Sequence, residues 1–318
     1  MQTIIITGIN GFVGQHLARQ AHASGCKVIG IGHGDKPHTD IEAILEAYLA
    51  RDLTDRTGLK DIPFEMADCL INLAGLANVG ASFDNPGHYE DVNVGILRNL
   101  CDELLDRNLQ SFRVLAISTG AVYDPTSQPP FTEESPLVDA KQTSPYVQSK
   151  LLVEATAEEY NNKGLFCITV RPFNHIGPGQ LPGFILPDLA RQLSLATESG
   201  SSTISVGNLQ NQRDFTDVRD VAKAYTLLAT TDALKLQHTV YNVCSGKGLS
   251  GGQILALLED ALGVKDVTIE IDQTLIRASD PAIIIGNSSR LSQETGWQPT
   301  IHIKQTIDDF VAWYKTQN

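Results

Sequence analysis

A tyrosine and a lysine four positions apart, Tyr146 and Lys150, have the residue types and spacing of a proton-transfer pair. At this spacing the two side chains lie on one face of a helix. A free tyrosine, with a pKa of about 10, is a poor proton donor or acceptor at neutral pH. A neighbouring ammonium stabilises the phenolate and lowers that pKa. Tyr-x-x-x-Lys also occurs in helices by chance. The motif therefore indicates catalysis only if the fold places it at a ligand-binding site.

Hydroxyl side chains at the end of an apolar run form a second candidate. The run from Phe112 to Ser118 is predicted to be a strand, and Thr119 follows it. A hydroxyl at this strand end can hydrogen-bond the substrate oxygen that Tyr146 protonates, in the manner of an oxyanion donor. We predict Thr119 in this role, with Ser118 as the fallback. The structural alternative for either residue is a hydroxyl that only caps the strand.

Short apolar segments alternate with amphipathic helical patterns through the first half of the chain. The predicted strands include residues 4–6, 28–31, 70–73, 112–118 and 166–170, and the predicted helices run from about 12–24, 92–107 and 146–161. This alternation predicts an α/β fold with a Rossmann-type doubly wound parallel sheet, covered by helices on both faces. Ligands of such sheets bind at the carboxyl ends of the strands, which is where Thr119 and Tyr146 would lie.

Three glycines, Gly8, Gly11 and Gly14, follow the first predicted strand at intervals of three. The first two permit a tight turn and close approach of backbone N–H groups to a pyrophosphate, and the third lets the next helix pack against the strand. The helix N-terminus adds partial positive charge. At the first strand of an alternating α/β pattern, dinucleotide binding is favoured over a merely tight turn. Lys150 can then also bind the ribose of a nicotinamide nucleotide.

The second predicted strand ends at Gly32, with His33 next and Asp35 three positions on. NAD enzymes usually carry an acidic residue at this strand end, where it binds the ribose hydroxyls. A carboxylate there would repel a 2′-phosphate. The glycine therefore favours NADP(H), while NAD(H) stays open because Asp35 could reach back.

The pattern changes beyond Arg171, where glycine and proline break the chain into shorter, mixed elements. Residues 239–243 are predicted to return to the main sheet. We therefore predict an NAD(P)-binding Rossmann domain of residues 1–173, completed by 217–246. Residues 174–216 and 247–318 are predicted to form a smaller mixed α/β substrate-binding lobe, with the ligand in the cleft between the two. Trp297 is expected to anchor the smaller lobe.

Composition limits the possible partners. The 318 residues carry a formal net charge of -13, which repels nucleic acid and anionic membranes. The five cysteines and eight histidines show no metal-ligand spacing, and an odd cysteine count argues against a disulfide framework. There is no signal-peptide pattern before the first strand and no apolar stretch of transmembrane length. We expect a cytoplasmic protein in a reducing compartment, without a metal site.

Together these elements resemble the extended short-chain dehydrogenase/reductase family of nucleotide-sugar enzymes, over nearly the whole chain. The resemblance implies that Asp52 and Leu53 flank the adenine and that Asn93 supports the active site from its helix. It implies the catalytic group Thr119, Tyr146 and Lys150. The implied cofactor contacts are Gly8, Asn10, Gly11, Phe12, Val13, His33, Asp52, Leu53, Leu73, Ala74, Gly75, Asn93, Tyr146, Lys150 and Pro172.

The second half is similar to GDP-sugar members of this family, in residues 171–180 and 207–215. This implies that Asn174 contacts the diphosphate and that Arg213 and Arg277 bind phosphate, a task suited to guanidinium groups. The implied substrate contacts are Ser118, Thr119, Asn174, Gln180, Arg213 and Arg277. His175 is expected either to touch ligand or to have a structural hydrogen bond. Family members commonly pair as homodimers through two helices, here those bearing Asn93 and Tyr146.

The two residues after the strand-end threonine narrow the choice of reaction. The family's 4,6-dehydratases carry an acid and a base there, whereas Gly120 and Ala121 cannot transfer a proton. A reductase or a 4-epimerase remains, and Gly32 favours the NADPH-using reductase. The resemblance implies reduction of GDP-4-keto-6-deoxy-D-mannose to GDP-D-rhamnose. The alternatives are a UDP-glucose 4-epimerase type of reaction and a non-catalytic dinucleotide sensor, which would be expected to lose Tyr146 or Lys150.

Overall fold

A computed structural model describes residues 1–199, 203–265, 267–276 and 281–317 of the chain, with the side chains of 198 and 199 left out. The strands are β1 (Thr3–Thr7), β2 (Lys27–Gly32), β3 (Ala47–Ala50), β4 (Cys69–Asn72), β5 (Arg113–Ile117), β6 (Phe166–Pro172), β7 (Asn174–Ile176), β8 (Thr203–Val206), β9 (Gln212–Asp217), β10 (Val240–Val243), β11 (Gly248–Ser250), β12 (Thr268–Ile271) and β13 (Ile283–Ile284). The α-helices are α1 (Phe12–Ala23), α2 (Thr39–Glu42), α3 (Pro86–Asp106), α4 (Pro145–Asn162), α5 (Ile185–Ser199), α6 (Val218–Thr230), α7 (Gly251–Leu262), α8 (Ser289–Thr295) and α9 (Ile303–Tyr314).

The main sheet has the strand order β10-β6-β5-β4-β1-β2-β3, and its recorded pairings are all parallel. The order reverses between β1 and β4, where Thr7 lies beside Asn72. Such a reversal leaves a crevice at the carboxyl ends of the strands, because the following connections run in opposite directions. The predicted doubly wound α/β fold and its last strand, β10, are confirmed.

The side chains along β1 point alternately to the two faces of the sheet, and this shows why both faces are covered. Ile4 and Ile6 are buried with residues of α1 and α6, including Leu17 and Val221. Ile5, between them, is buried on the other face with residues of α3 and α4, including Leu97. Successive strand side chains point to opposite faces, so a run of isoleucines requires apolar cover on both.

The smaller lobe has its own core. Strand β9 pairs with β11 antiparallel and with β7 and β13 in parallel, while β12 pairs with β8. Buried residues of α5, α7 and α9 pack together beneath these strands, among them Leu189, Leu258 and Phe310. The predicted division of the chain into a Rossmann domain and this lobe stays a prediction in its boundaries.

One segment departs from that division. Leu291 on α8 and Trp297 are fully buried in the core of the main sheet, and the indole N–H of Trp297 donates to the Asp220 carbonyl at 2.9 Å. The expectation that Trp297 anchors the smaller lobe is therefore wrong. A buried indole needs both an apolar surround and an acceptor, and α6 supplies the acceptor.

Helix α3 also begins earlier than expected, at Pro86 rather than near 92. Its first turn contains glycine and histidine, which hide the helical period, but proline at the first position is pre-organised for a helix.

None of the helices in the described ranges has the length and apolar character of a membrane span.

Candidate active site

The glycine loop forms a close-fitting cradle at the strand-order reversal. Gly8 has φ of +63°, and a Cβ there would lie 3.0 Å from backbone atoms of Leu73 and Ala74. At Gly14 a Cβ would lie 2.4 Å from the carbonyl oxygen of Gly8, so only glycine lets α1 approach the turn. The amide of Ala74 donates to Thr7 Oγ1 at 3.0 Å, which joins the loop after β1 to the loop after β4.

The start of α4 fixes Tyr146 and Lys150 at the same sheet edge. Ser144 caps the helix by accepting from the Val147 amide, and Pro145 occupies its first turn. Lys150 Nζ donates to the Ile117 carbonyl at 2.8 Å and lies 5.9 Å from the centroid of the Tyr146 ring. The helix start and the lysine's bond to β5 together place the tyrosine beside the strand end.

Thr119 joins this pair. Its hydroxyl accepts from the Ala121 amide at 3.2 Å, and it lies close enough to the phenol of Tyr146 to act on the pKa of that group. The structure therefore brings together the three residues of the predicted catalytic group. In this arrangement a substrate oxygen that met the phenol would also be within reach of the threonine hydroxyl.

The pKa values differ from the sequence-based expectation. Burial raises the pKa of Tyr146 to about 12, although the hydrogen bond with Thr119 opposes the shift. Burial lowers the pKa of Lys150 to about 8. Desolvation thus outweighs stabilisation of the phenolate by the ammonium, which is turned toward the Ile117 carbonyl. The phenol therefore carries its proton at neutral pH, and at this pKa it is a weaker acid than a free tyrosine.

Asn93 on α3 links the loop after β4 to helix α4, which bears Tyr146 and Lys150. Its Oδ1 accepts from the Leu76 amide at 2.7 Å, and its Nδ2 donates to Ser149 Oγ at 2.9 Å. Gly75, just before, has no room for a side chain, because a Cβ would lie 2.5 Å from Asn93 Oδ1. Asn93 is 3% exposed, which fits the supporting role predicted for it.

Ser118 faces a buried ionic pair. Its hydroxyl donates to Glu154 Oε1 at 2.5 Å, and Glu154 pairs with Arg171 at 2.6 Å. Arg171 also donates to the Tyr123 hydroxyl at 2.9 Å. Because the hydroxyl of Ser118 already has a charged partner, the structure favours Thr119 as the residue available to a substrate.

Gly120 leaves no space for an acid or base. A Cβ at this position would lie 2.8 Å from ring atoms of Phe173. Phe173 is 4% exposed and stacks on Tyr123 with ring centroids 6.1 Å apart. An aromatic core thus occupies one of the positions where a dehydratase would carry its extra proton-transfer group.

His33, Asp52 and Leu53 lie just beyond the carboxyl ends of β2 and β3. His33 and Asp52 are exposed at the ends of β2 and β3, and Leu53 is buried. Hydrogen bonds from the hydroxyl and then the amide of Thr54 lower the pKa of Asp52, and nearby His33 adds a smaller effect. These positions are compatible with contacts to an adenine and its ribose, which stay predictions.

The segment after β6 docks onto the start of α1. The ring of Phe12 stacks on His175 with centroids 6.1 Å apart, and His16 Nε2 lies 2.8 Å from the Pro178 carbonyl oxygen. His175 Nδ1 bonds the Phe173 carbonyl at 3.0 Å, so this ring has a structural hydrogen bond. Sequence reasoning missed His16, whose position on α1 carries no motif.

Gln180 has a buried acceptor that is not used within the described part of the chain. It is 5% exposed; its Nε2 donates to the His175 carbonyl at 3.2 Å, but its Oε1 has no hydrogen-bond partner there. Leaving such an oxygen unpaired costs about 1–3 kcal/mol. A ligand N–H would satisfy it. Together with the glycine cradle, this oxygen fits a bound nicotinamide dinucleotide or its substrate.

The remaining predicted substrate residues lie in the smaller lobe or on its border. Asn174 is exposed at the start of β7, and Arg213 on β9 donates to its neighbour Gln212's carbonyl at 2.8 Å. Arg277 lies outside the described residues. A cavity of about 620 Å³ opens nearby, lined in part by Phe184, Asp188, Arg191, Gln192, Gly207 and Asn208. Residues 207–209 of this lining lie in the segment that resembles GDP-sugar enzymes, whereas those of α5 carry no motif in the sequence.

The chain is similar to known proteins over nearly its full length. The sequence model of the NAD dependent epimerase/dehydratase family matches residues 4–244. The GDP-6-deoxy-D-mannose reductase of Pseudomonas aeruginosa is 33% identical over 311 residues, covering 96% of this chain and 95% of that protein. A UDP-glucose 4-epimerase of Neisseria meningitidis serogroup A is 27% identical over 338 residues, covering 98% and 97%.

Solved structures show the same fold. The structure of RMD from Pseudomonas aeruginosa complexed with NADPH superposes with a TM-score of 0.83 at 30% identity, covering 100% of both chains. A UDP-glucose-4-epimerase from Stenotrophomonas maltophila with bound NAD and formylated UDP-arabinopyranose gives a TM-score of 0.85 at 22% identity, covering 100% of this chain and 99% of that one. At that identity the second likeness concerns the fold alone.

Proposed function

The chain belongs to the NAD dependent epimerase/dehydratase family, and we propose that it reduces the C4 ketone of GDP-4-keto-6-deoxy-D-mannose to give GDP-D-rhamnose. As an enzyme of the extended short-chain dehydrogenase/reductase type, it is an oxidoreductase. We also propose that NADPH is the preferred cofactor and that the substrate is a GDP-linked hexose. Support for the substrate comes from the reductase relative at 33% identity and from residues 207–215.

The observation that carries the proposal is the contact of Tyr146 with Thr119 beside Lys150, with no room for an acid at Gly120. When bound, the reduced nicotinamide supplies the hydride. Tyr146 then donates its phenolic proton to the ketone oxygen, so hydride and proton together give the alcohol. Thr119 donates a hydrogen bond to that oxygen, and Lys150 binds the cofactor ribose and stabilises the phenolate that remains.

Cofactor and substrate would be bound by different parts of the chain. The turn of Gly8 and Gly11 would approach the pyrophosphate, and the loop at Gly75 would border the nicotinamide half. Asn174 and Arg213 would bind the sugar diphosphate from the smaller lobe, and the 620 Å³ cavity would take the base. Arg277 stays in the proposal as a phosphate ligand on sequence grounds.

A UDP-glucose 4-epimerase activity is the second candidate, because the 27% identical relative is an epimerase. An epimerase must retain its NAD through oxidation and return of the hydride, and a carboxylate at the end of β2 would assist this. Gly32 lies there instead. A dinucleotide sensor is a third candidate, but it would have no need of the contact between Tyr146 and Thr119.

The test measures consumption of NADPH and NADH with enzymatically prepared GDP-4-keto-6-deoxy-D-mannose. Tyr146→Phe is expected to lower kcat by about 10²–10⁴-fold, the usual contribution of a proton donor. Tyr160→Phe is the matched control: this residue lies on the same helix but donates to Asp102 at 2.5 Å, away from the strand end. Binding without turnover would favour the sensor. Interconversion of UDP-glucose and UDP-galactose by protein purified with NAD(H) would favour the epimerase.

A further inference from the structure

The end of β2 is filled by a side chain from the neighbouring strand. A Cβ at Gly32 would lie 2.8 Å from the hydroxyl oxygen of Tyr48, on β3, and 3.3 Å from Asn10 Nδ2. Tyr48 donates to the Gly34 carbonyl, and Asn10 Nδ2 donates to the Tyr48 hydroxyl at 3.2 Å. A phenol thus occupies the place from which a carboxylate would bind the ribose hydroxyls of NAD.

The same two side chains fix the loop of residues 33–38. Asn10 Nδ2 also donates to the Lys36 carbonyl at 3.1 Å, and its Oδ1 accepts from the His38 amide at 2.8 Å. Asn10 belongs to the glycine loop, so its amide ties the pyrophosphate-binding turn to the loop beside the adenosine. The side chain of Asn10 therefore orders the protein around the cofactor.

Three basic residues, His33, Lys36 and Arg51, lie on the chain next to this strand end and would attract an additional phosphate. Burial raises the pKa of Tyr48, so its hydroxyl stays neutral. His33 and Lys36 are exposed on the loop. The amide of Arg51 donates to the Gly32 carbonyl at 2.9 Å, and its guanidinium pairs with Asp61 at 3.2 Å.

The acidic groups nearest this strand end are placed differently from a ribose-binding carboxylate. Asp35 is exposed on the loop, close enough for its charge to raise the pKa of Tyr48 further. Asp52 accepts from the amide and hydroxyl of Thr54 at 2.9 and 2.7 Å. Neither Asp35 nor Asp52 is the last residue of β2. That residue is Gly32, and the neutral phenol of Tyr48 fills the space beside it.

We propose that Tyr48 and Asn10 form the element that makes this chain select a 2′-phosphorylated dinucleotide. The phenol excludes a carboxylate from the end of β2, and the two side chains hold loop 33–38 in place beside the cofactor's 2′ position. The inference rests on the proposed function only in assuming that the glycine loop binds a nicotinamide dinucleotide.

Binding of two adenosine fragments tests the inference without the sugar reaction. Adenosine 2′,5′-bisphosphate carries the distinguishing phosphate and adenosine 5′-monophosphate lacks it, and calorimetry gives both dissociation constants. The wild-type protein is expected to bind the bisphosphate at least about tenfold more tightly, a difference of about 1.4 kcal/mol. Equal affinities, or tighter monophosphate binding, would overturn the proposal while leaving the reductase activity to be judged by its own assay.

Variants identify the side chains responsible. Gly32→Asp combined with Tyr48→Ala makes room for a carboxylate and is expected to reverse the preference, whereas Gly32→Asp alone, with the phenol in place, is expected to weaken both fragments. Gly34→Asp is the charge control, because a Cβ there meets nothing closer than 3.6 Å; a carboxylate on the loop, away from the end of β2, is expected not to reverse the preference.

Tyr48→Phe keeps the ring and removes only the hydroxyl. If the variant folds, it tests the hydrogen bonds of the Tyr48 hydroxyl without changing the packing of the ring. Its preference for the bisphosphate is expected to fall at least about fivefold, with an unchanged circular dichroism spectrum. An unchanged preference in folded Tyr48→Phe, or a reversed preference in Gly32→Asp alone, would show that Tyr48 does not select the cofactor.

Discussion

The side-chain amide of Asn93 donates to Ser149 Oγ at 2.9 Å, and that hydroxyl donates to the backbone carbonyl of Tyr146 at 2.7 Å. Asn93 also exchanges hydrogen bonds with the backbone of Leu76, in the loop after β4. One buried residue therefore fixes the distance between the loop after β4, which is expected at the cofactor, and the first turn of α4.

Replacing Asn93 tests this link. Asn93→Ala leaves the Leu76 amide without its acceptor and removes the donor to the buried Ser149 hydroxyl, and we expect a loss of about 1–3 kcal/mol in the free energy of unfolding. Because Tyr146 loses its support, kcat should fall more than the affinity for NADPH. Asn99→Ala, on the same helix but bonded to the carbonyls of Leu53 and Thr54, should leave kcat near the wild-type value. An equal loss of kcat in both variants would contradict the link.

A methyl group at position 120 should be costly. Gly120→Ala places a Cβ 2.8 Å from the ring of Phe173, and overpacking of this kind costs about 1–3 kcal/mol. Urea unfolding measures the loss, and in a Phe173→Leu background the additional cost of Gly120→Ala should shrink, as expected for coupled neighbours. Gly87→Ala is the control, since a Cβ there has nothing within 4 Å. Strictly additive losses would mean that the ring does not set the requirement for glycine.

Lys150 should give the protein a pH-dependent stability. Burial lowers its pKa from 10.5 to about 8, so between pH 8 and 10 the unfolded chain binds more protons than the folded one. The free energy of unfolding should therefore rise through this window relative to Lys150→Met, which cannot titrate. Unfolding in urea at a series of pH values measures the difference. The pKa of Tyr146 is shifted upward, so the phenol stays protonated in both states through most of the window. Parallel pH profiles of the two proteins would contradict the expected burial of the ammonium.

The ionic pair beneath the strand end should be sensitive to the loss of one partner. Glu154→Gln leaves the charge of Arg171 buried, with side-chain exposures of 12% for Glu154 and 6% for Arg171 in the pair, and removal of one partner of such a pair costs about 3–5 kcal/mol. Thermal and urea unfolding should show this loss, whereas Glu158→Gln, exposed on the same helix, should change stability by about 0.5 kcal/mol or less. Similar stabilities for both variants would mean that Arg171 finds another counter-charge.

Local features of the sequence were sufficient to predict the sheet and the glycine loop, and to propose Thr119, Tyr146 and Lys150 as one group. Ile4 to Ile6 are apolar on both faces, Gly8 needs a left-handed turn, and a four-residue spacing puts Tyr146 and Lys150 on one helix face. Each of these can be recognised within one strand, turn or helix, because the constraint acts between neighbours in the chain.

The partners of those residues depended on the folded chain. Tyr48 fills the space beside Gly32, Phe173 fills that beside Gly120, and Trp297 packs on the main sheet. Burial depends on all the residues packed around a side chain. It raised the pKa of Tyr146, whereas the sequence predicted a decrease. Such outcomes depend on contacts between residues far apart in the chain, for which neither periodicity nor spacing gives a signal.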